Sequence, residues 1–290
     1  MTRDATPARD VWRRLEPIHS VAYFAPEALG ALGELGYKGF WMGYFAGRAA
    51  PLGPVGPEIV GSLFYNFAPT RVAKALPEAW TIAGPDAALD ARRRGAARAL
   101  RRMLGDAADG AELTEAAELA ATAARSAPSD GRALFAANAA LDWPTEPLDV
   151  LWHAATLLRE HRGDGHVALL TSLGLSGRES NVLQVAAGNV PRSMIERARD
   201  YDDAEWTAVV GRLVERGLLG GDGSLTDDGA ALRAELEERT DALALSAYDV
   251  LDDQELDRLT RLLTPITAAV VAAGDIPEAT PMGPTLQSGD

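Results

Sequence analysis

Aromatic side chains crowd the first part of this 290-residue sequence and carry its clearest chemical signal. Of the 18 aromatic residues, 12 lie within the first 80 positions. At helical spacing one face would carry three rings and a guanidinium, from Trp41, Tyr44, Phe45 and Arg48. Because an apolar pocket with a few convergent polar groups is typical of a ligand site, we predict that a small aromatic or amphipathic molecule binds here. The predicted lining comprises Tyr23, Phe24, Trp41, Tyr44, Phe45, Arg48, Phe64, Tyr65 and Phe67.

The same cluster admits two other interpretations. In the first, the rings form only an aromatic core between two parts of the chain. In the second, the protein is an enzyme in which His19, Tyr23 or His161 acts as acid or base and Arg48 binds an anionic group of the substrate. A buried arginine is costly unless it is paired. An acidic residue, backbone carbonyls or an anionic ligand should therefore lie beside Arg48.

We predict neither a metal ion nor a cofactor. The sequence contains no cysteine, which excludes disulfides, thiolate zinc sites and cysteine nucleophiles. His161 and His166 lie close to Glu160 and Asp164, but their spacing does not match the i, i+4 pair of a helical metal site. The sequence also lacks a phosphate-binding loop and a dinucleotide fingerprint.

A dense run of arginines follows the aromatic cluster, at Arg92, Arg93, Arg94, Arg98, Arg101 and Arg102. Four of these share a face at helical spacing and are candidates for contacts with DNA phosphates, namely Arg94, Arg98, Arg101 and Arg102. The alternative is a solvated helix face that pairs with acidic residues of the second half. We favour the alternative, because one basic helix in so acidic a protein makes a poor clamp for DNA.

The net charge of −14 lies entirely in the second half of the chain, where residues 146–290 hold 26 acidic and 12 basic side chains. Such a surface repels a phosphate lattice, so DNA binding through this half is not expected. No apolar run is long enough to span a membrane. We therefore expect a cytoplasmic protein without a membrane partner, for which a monomer is feasible and a homodimer possible.

The elements that must position these residues are almost entirely helical by composition and periodicity. The helix from Asp149 is expected to end at the glycine-rich segment 162–165. A short hairpin is expected over 218–226, followed by long helices over 230–251 and 254–273 and a loose tail. The segment Asp109–Thr114 echoes Asp222–Thr226. This echo suggests a tandem duplication with a second hairpin near Asp109.

The segment from Trp206 to Gly229 resembles the recognition helix and wing of MarR-type winged-helix regulators. It matches the pattern of that family at Arg212, Leu213, Gly217, Leu218, Leu225, Thr226 and Gly229. With its segments 23–54 and 157–170, the whole chain also resembles an actinobacterial group of SalK-like helix-turn-helix proteins. Two features depart from the MarR-type pattern: the wing Gly220–Ser224 has no arginine, and the presumed recognition helix carries Glu205 and Glu215.

The helical periodicity, the internal repeat and these resemblances together predict a mainly α fold built of tandem, duplicated winged-helix lobes that form a covalent pseudo-dimer. The first lobe, residues 1–145, would be degenerate and rich in aromatics. The second, residues 146–290, would be MarR-like and end in long helices. The implied function is a small-molecule-binding, ligand-responsive transcriptional regulator with weakened or lost DNA binding. The alternative is the enzyme described above.

Overall fold

The computed structural model describes residues 5–280 and 283–284, which are mainly helical. The helices of the first half are α1 (Thr6–Phe24), α2 (Pro26–Glu34), α3 (Gly39–Ala49), α4 (Pro57–Phe64), α5 (Pro69–Ala73), α6 (Glu78–Ile82), α7 (Pro85–Leu104), α8 (Ala111–Ser126) and α9 (Ala133–Ala139). Those of the second half are α10 (Pro147–Ser172), α11 (Gly177–Ala186), α12 (Arg192–Arg199), α13 (Asp203–Glu215), α14 (Asp227–Leu245) and α15 (Asp253–Ala272). Two short antiparallel strands, β1 (Ala279–Thr280) and β2 (Gly283–Pro284), follow α15. The rest of the predicted loose tail, residues 281–282 and 285–290, lies outside the described residues.

Local signals in the sequence explain many of the helix ends. Ser176 and Asp252 each form a capping box, with Glu179 and Glu255 respectively, that satisfies free backbone N–H groups at the helix start. Asp202 caps α13 by accepting a hydrogen bond from a backbone N–H. Prolines occupy the first turns of several helices, where a missing N–H costs nothing.

The buried apolar residues form three clusters, one central and two flanking. The central cluster joins α1, α7 and α8 of the first half to α10, α14 and α15 of the second. One flanking cluster is the aromatic-rich core of α2–α7, and the other is the core of α11–α14 with the end of α10. The two halves are therefore not separate bodies, because the largest cluster draws on both.

Packing in the central cluster is reciprocal between the halves. Helix α1 packs against α10 and α15, while α8 packs against the same two helices. Likewise α1 contacts α7 and α14, and α10 contacts α14 and α7. Each half thus places its first helix and its last long helix against the corresponding pair of the other half.

The second half contains three short helices, a tight turn and a long helix, an order that is consistent with a helix-turn-helix protein. Helices α11, α12 and α13 are followed by a turn in which Leu219 pairs with Leu225, and α14 continues from it. Gly229 permits the close approach of α14 to this turn, since a Cβ there would lie 2.1 Å from the carbonyl oxygen of Leu218. The predicted hairpin over 218–226 is present, since the N–H groups of Gly220 and Thr226 donate to the carbonyls of Ser224 and Leu218 on either side of this bridge.

Two predictions from glycine-containing segments are wrong. Residues 105–109 form a 3₁₀ turn that leads into α8, so there is no hairpin near Asp109; the Gly110 N–H bonds back to Ala107 within the turn. The glycines at 163 and 165 do not end a helix either, because α10 runs through them to Ser172. Gly165 is buried against Leu243 of α14, and tertiary packing therefore overrides its low helix propensity.

Across the described part of the chain, no helix combines the length and apolar character that a membrane crossing requires.

Candidate functional site

Helix α3 separates two cavities, and Tyr44 and Arg48 line both of them. The first cavity, of about 230 Å³, lies between α2 and α3. The second, of about 160 Å³, lies where the first half meets α10, α11 and α12 of the second half. The structure thus opens space on both sides of the residue pair on which the sequence-based prediction centred.

The first cavity lies along a face of α3 that carries glycines at i, i+4 and i+8. Gly39, Gly43 and Gly47 line it on this side, opposite Leu29 and Leu32 of α2. The missing side chains let α2 approach α3 closely, since a Cβ at Gly43 or Gly47 would lie 3.4 or 3.5 Å from the side chain of Leu32. The polar groups that reach this apolar space come from Tyr23, Tyr44, Arg48 and Arg92.

A buried ion pair beside the first cavity supplies the partner that Arg48 was predicted to need. The Nε and Nη2 groups of Arg48 each donate to a carboxylate oxygen of Glu160 at 3.0 Å. Its guanidinium also lies 4.1 Å from the centre of the Phe64 ring. Because Glu160 neutralises Arg48, this arginine holds α3 to α10 and is not a free anion receptor.

The carboxylate of Glu160 is shared by two cations. Arg159 donates to the oxygen that also accepts from Arg48, at 2.9 Å, and the Glu160 side chain is 2% exposed. Burial by itself would raise the pKa of Glu160, but the charges of Arg159 and Arg48 outweigh burial and hold that pKa well below its ordinary value. The carboxylate of Glu160 therefore stays ionised at neutral and mildly acidic pH.

His19 and Tyr23 form a hydrogen-bonded pair that ends in the first cavity. The Thr156 hydroxyl donates its one proton to the Trp152 carbonyl, so it accepts a hydrogen bond from Nδ1 of His19 at 3.0 Å. Nε2 of His19 is then an acceptor, and the Tyr23 hydroxyl donates a hydrogen bond to it at 2.9 Å. Tyr23 lines the cavity, and its oxygen keeps lone-pair capacity to accept a hydrogen bond from a ligand.

This geometry limits what the predicted catalytic residues can do. Burial lowers the pKa of His19 well below its ordinary value and raises that of Tyr23. The pair is thus held neutral and hydrogen-bonded. His161 packs against Phe135 with the ring centres 5.1 Å apart and lines neither cavity, so the three predicted acid–base candidates do not converge.

The predicted ligand-binding residues divide into three groups. Tyr23, Tyr44 and Arg48 line the first cavity, and Phe64, Tyr65 and Phe67 join Tyr44 and Arg48 around the second. Trp41 and Phe45 belong to the aromatic core of α2–α7, and Phe24 packs against the central cluster.

Acidic residues cover much of the basic face of α7. Arg93 pairs with Asp149, Arg101 with Asp109, and Arg102 with Glu27 and Asp275. Arg94 pairs with Asp90, and Arg98 donates to the Glu27 carbonyl. Arg92 is buried and donates to the Gly47 carbonyl at 2.8 Å. The contacts favour the interpretation that these arginines pair within the protein, with partners from both halves.

Sequence reasoning missed Arg199, the last residue of α12. Its side chain is buried, lines the second cavity and lies 3.9 Å from the centre of the Phe67 ring. No local pattern marks an arginine at this position as buried. Its contact with Phe67 joins residues 132 positions apart, which only the tertiary structure brings together.

One of three comparisons with known proteins finds a match. A family model described as a helix-turn-helix family matches residues 8–277. Neither a search of curated proteins nor a search of solved structures finds a match. Among the described residues, no group of three or more histidines, aspartates and glutamates is placed to hold a metal ion. The match over nearly the whole length, together with the order α11–α13, bridge and α14, identifies the chain as a member of this helix-turn-helix family.

Proposed function

We propose that this protein binds a small aromatic or amphipathic molecule in the first cavity and is a ligand-responsive regulator of MarR-like descent with weakened or lost DNA binding. The family's helix-turn-helix description points in general to a DNA-binding or regulatory protein. The observation that carries the ligand proposal is the first cavity itself. Its walls are mostly apolar, and the oxygen of Tyr23 is prepared to accept one hydrogen bond.

The tandem architecture is part of this proposal. The reciprocal packing of α1 and α8 against α10 and α15 supports a covalent pseudo-dimer, since related subunits of a dimer contact each other through the same surface. The 3₁₀ turn at residues 105–109 fits a first lobe that has degenerated and lacks a wing.

A variant that fills the cavity tests the ligand proposal. Gly33 lies on α2 at the edge of the cavity, and a Cβ added there would meet no atom within 4 Å. We expect wild-type protein to bind indole, a flat ring with one N–H donor, in isothermal titration calorimetry. Gly33→Leu should weaken this binding at least about 10-fold, because the leucine occupies space that the ring needs.

Gly30→Leu is the matched control for that experiment. Gly30 lies on the same helix, is also exposed and also has no atom within 4 Å of an added Cβ, but it does not line the cavity. This variant should bind indole as wild type does. Benzofuran, which lacks the N–H, should bind more weakly than indole because it cannot donate to Tyr23. Equal loss of binding in both leucine variants would refute the assignment of the cavity.

Weak DNA binding by the second half is expected from the charges around α13. Asp203 and Glu205 lie in its first turn, and Arg192 pairs with Asp203. Arg216 donates to the carbonyls of Leu173 and Gly174. These carboxylates repel phosphates, and two of the nearby arginines already have partners within the protein.

A labelled duplex of mixed sequence should therefore show no sub-micromolar binding at physiological salt when its fluorescence anisotropy is measured. Tight, salt-sensitive binding that Arg212→Ala and Arg216→Ala abolish would contradict this expectation. Tight binding that is lost instead in Arg94→Ala or Arg98→Ala would place the DNA contact in the first half.

The enzyme interpretation rests on the His19–Tyr23 pair at the edge of the first cavity. A reaction that is lost in His19→Ala or Tyr23→Phe would favour it over the regulator, provided that benzofuran, which donates no hydrogen bond to Tyr23, still binds to the variant.

A further inference from the structure

The second cavity contains a buried cation that has no counter-charge. The Arg199 side chain is only 6% exposed, and its Nε has no hydrogen-bond partner. Among the described residues, no group accepts a hydrogen bond from its guanidinium and no carboxylate forms an ion pair with it. Burial lowers the pKa of Arg199 to about 10, so the guanidinium remains charged at neutral pH.

The other arginines around this cavity are all paired. Arg48 and Arg159 share Glu160, and Arg159 also contacts Glu16. Arg162 pairs with Glu237 and Asp241. The fold therefore supplies carboxylates to the neighbouring cations and leaves Arg199 without one.

An unpaired buried charge carries a large desolvation cost. The stacking of Arg199 on Phe67, at 3.9 Å, offsets part of this cost. It does not satisfy the N–H groups of the guanidinium, which need acceptors. A bound anion would supply both the acceptors and the counter-charge.

The surroundings of Arg199 define the kind of anion. A planar guanidinium matches a carboxylate through two parallel hydrogen bonds. Tyr44, Phe64 and Phe67 give the cavity aromatic walls, and its volume of about 160 Å³ restricts the occupant to a small molecule. The side-chain oxygen of Asn66, which also lines the cavity, is buried without a partner and can accept a hydrogen bond.

We propose that the second cavity is a binding site for a small aromatic carboxylate, whose carboxylate pairs with Arg199 and whose ring contacts Phe64 and Phe67. A hydroxyl substituent on the ring would donate to Asn66. This site is separate from the first cavity, and its occupant need not be the molecule that binds there.

The site also has a defined place in the fold. Arg199 belongs to α12, and the next residue, Asp200, pairs with Arg71 and Lys74 of the first half. Asp200 lies in the turn between α12 and α13. An anion bound at Arg199 would therefore join the helix-turn-helix segment to the aromatic core of the first half.

The test uses benzoate as the probe and benzamide as its neutral counterpart, with binding measured by isothermal titration calorimetry on the full-length protein. Wild type should bind benzoate and bind benzamide at least about 10-fold more weakly, because the amide lacks the charge that strengthens the hydrogen bonds to Arg199. Arg199→Met should lose benzoate binding by a similar factor. The variant should also melt at a higher temperature than ligand-free wild type, because it removes an unpaired buried charge.

Arg197→Met is the matched control, because it removes the same charge from an exposed position on the same helix. It should bind benzoate as wild type does. So should Gly33→Leu, whose change lies in the first cavity; its failure to bind would move the carboxylate to that cavity and overturn this proposal while leaving the first cavity as a ligand site.

Three further outcomes would also overturn the proposal. They are equal binding of benzoate and benzamide, equal loss of binding in Arg197→Met and Arg199→Met, and binding of inorganic phosphate but not of benzoate. If Arg199→Met does not fold, Arg199→Lys replaces it. Lysine keeps the charge but loses the paired geometry, so benzoate should still bind more tightly than benzamide, but more weakly than in wild type.

Discussion

Replacing Glu160 with glutamine should lower the free energy of unfolding by about 3–5 kcal/mol, which is the cost of leaving buried charges without their partner. The substitution keeps the size of the side chain and removes the charge that Arg48 and Arg159 share. Both arginines are about one-tenth exposed, so water cannot replace the carboxylate. Urea unfolding of Glu160→Gln and wild type at pH 7 measures the difference.

Glu235→Gln is the control for this prediction. Glu235 forms the exposed pair of the same type with Arg239, in which both side chains are about half exposed. Its loss should cost no more than about 0.5 kcal/mol. The double variant Arg48→Met with Glu160→Gln should be less destabilised than the sum of the single variants, because one of the two stranded cations is gone. A Glu160→Gln cost as small as that of Glu235→Gln would contradict the shared ion pair.

Acidification from pH 7 to pH 5 should destabilise the protein by several kcal/mol because its histidines are buried in the neutral form. Burial lowers the pKa of His153 to about 4 and that of His161 to about 3, and it also lowers the pKa values of His19 and His166. In the unfolded chain these groups take up protons near pH 6.5. Between that pH and the lowered pKa values, the unfolded state binds more protons than the folded state. The free energy of unfolding therefore decreases as the pH falls.

Asp164 acts in the opposite direction over part of this range. Burial raises its pKa to about 6, so the folded protein gains this proton before the unfolded chain does. Because the buried histidines outnumber Asp164, the free energy of unfolding still decreases as the pH falls. Each unbalanced proton contributes about 1.4 kcal/mol per pH unit.

Urea unfolding at pH 7, 6 and 5 measures this dependence, and His161→Asn should reduce the slope by removing one titrating group. A free energy of unfolding that stays constant or rises as the pH falls from 7 to 5 would contradict the prediction.

The sequence was most informative where the structure depends on nearby residues. The starts of α11 and α13 are examples, because the capping side chains of Ser176 and Asp202 act on backbone N–H groups only three residues away. It failed at the glycines of 162–165 and at the turn of 105–109, where packing decides whether a glycine ends a helix. Local helix propensity does not specify which other helix will pack against a glycine.

The same limit applies to the candidate sites. Helical spacing correctly placed Tyr44 and Arg48 together, since they are one turn apart on α3. It could not identify Glu160 as the partner of Arg48, which lies 112 positions away, nor show that Arg48 would be neutralised. It also missed Arg199, because the burial of this residue depends on the tertiary contact between the two halves of the chain.

The packing of α1 against α15 has a consequence for how the protein is made. Helix α1 begins at Thr6, whereas its partner α15 begins only at Asp253. At a synthesis rate of about 5–20 residues per second, α15 leaves the ribosome on the order of tens of seconds after α1. Throughout that interval the apolar side of α1, with Val11, Leu15 and Ile18, lacks part of its cover on the nascent chain. The nascent chain thus exposes apolar side chains of α1, which a chaperone can bind until translation is complete.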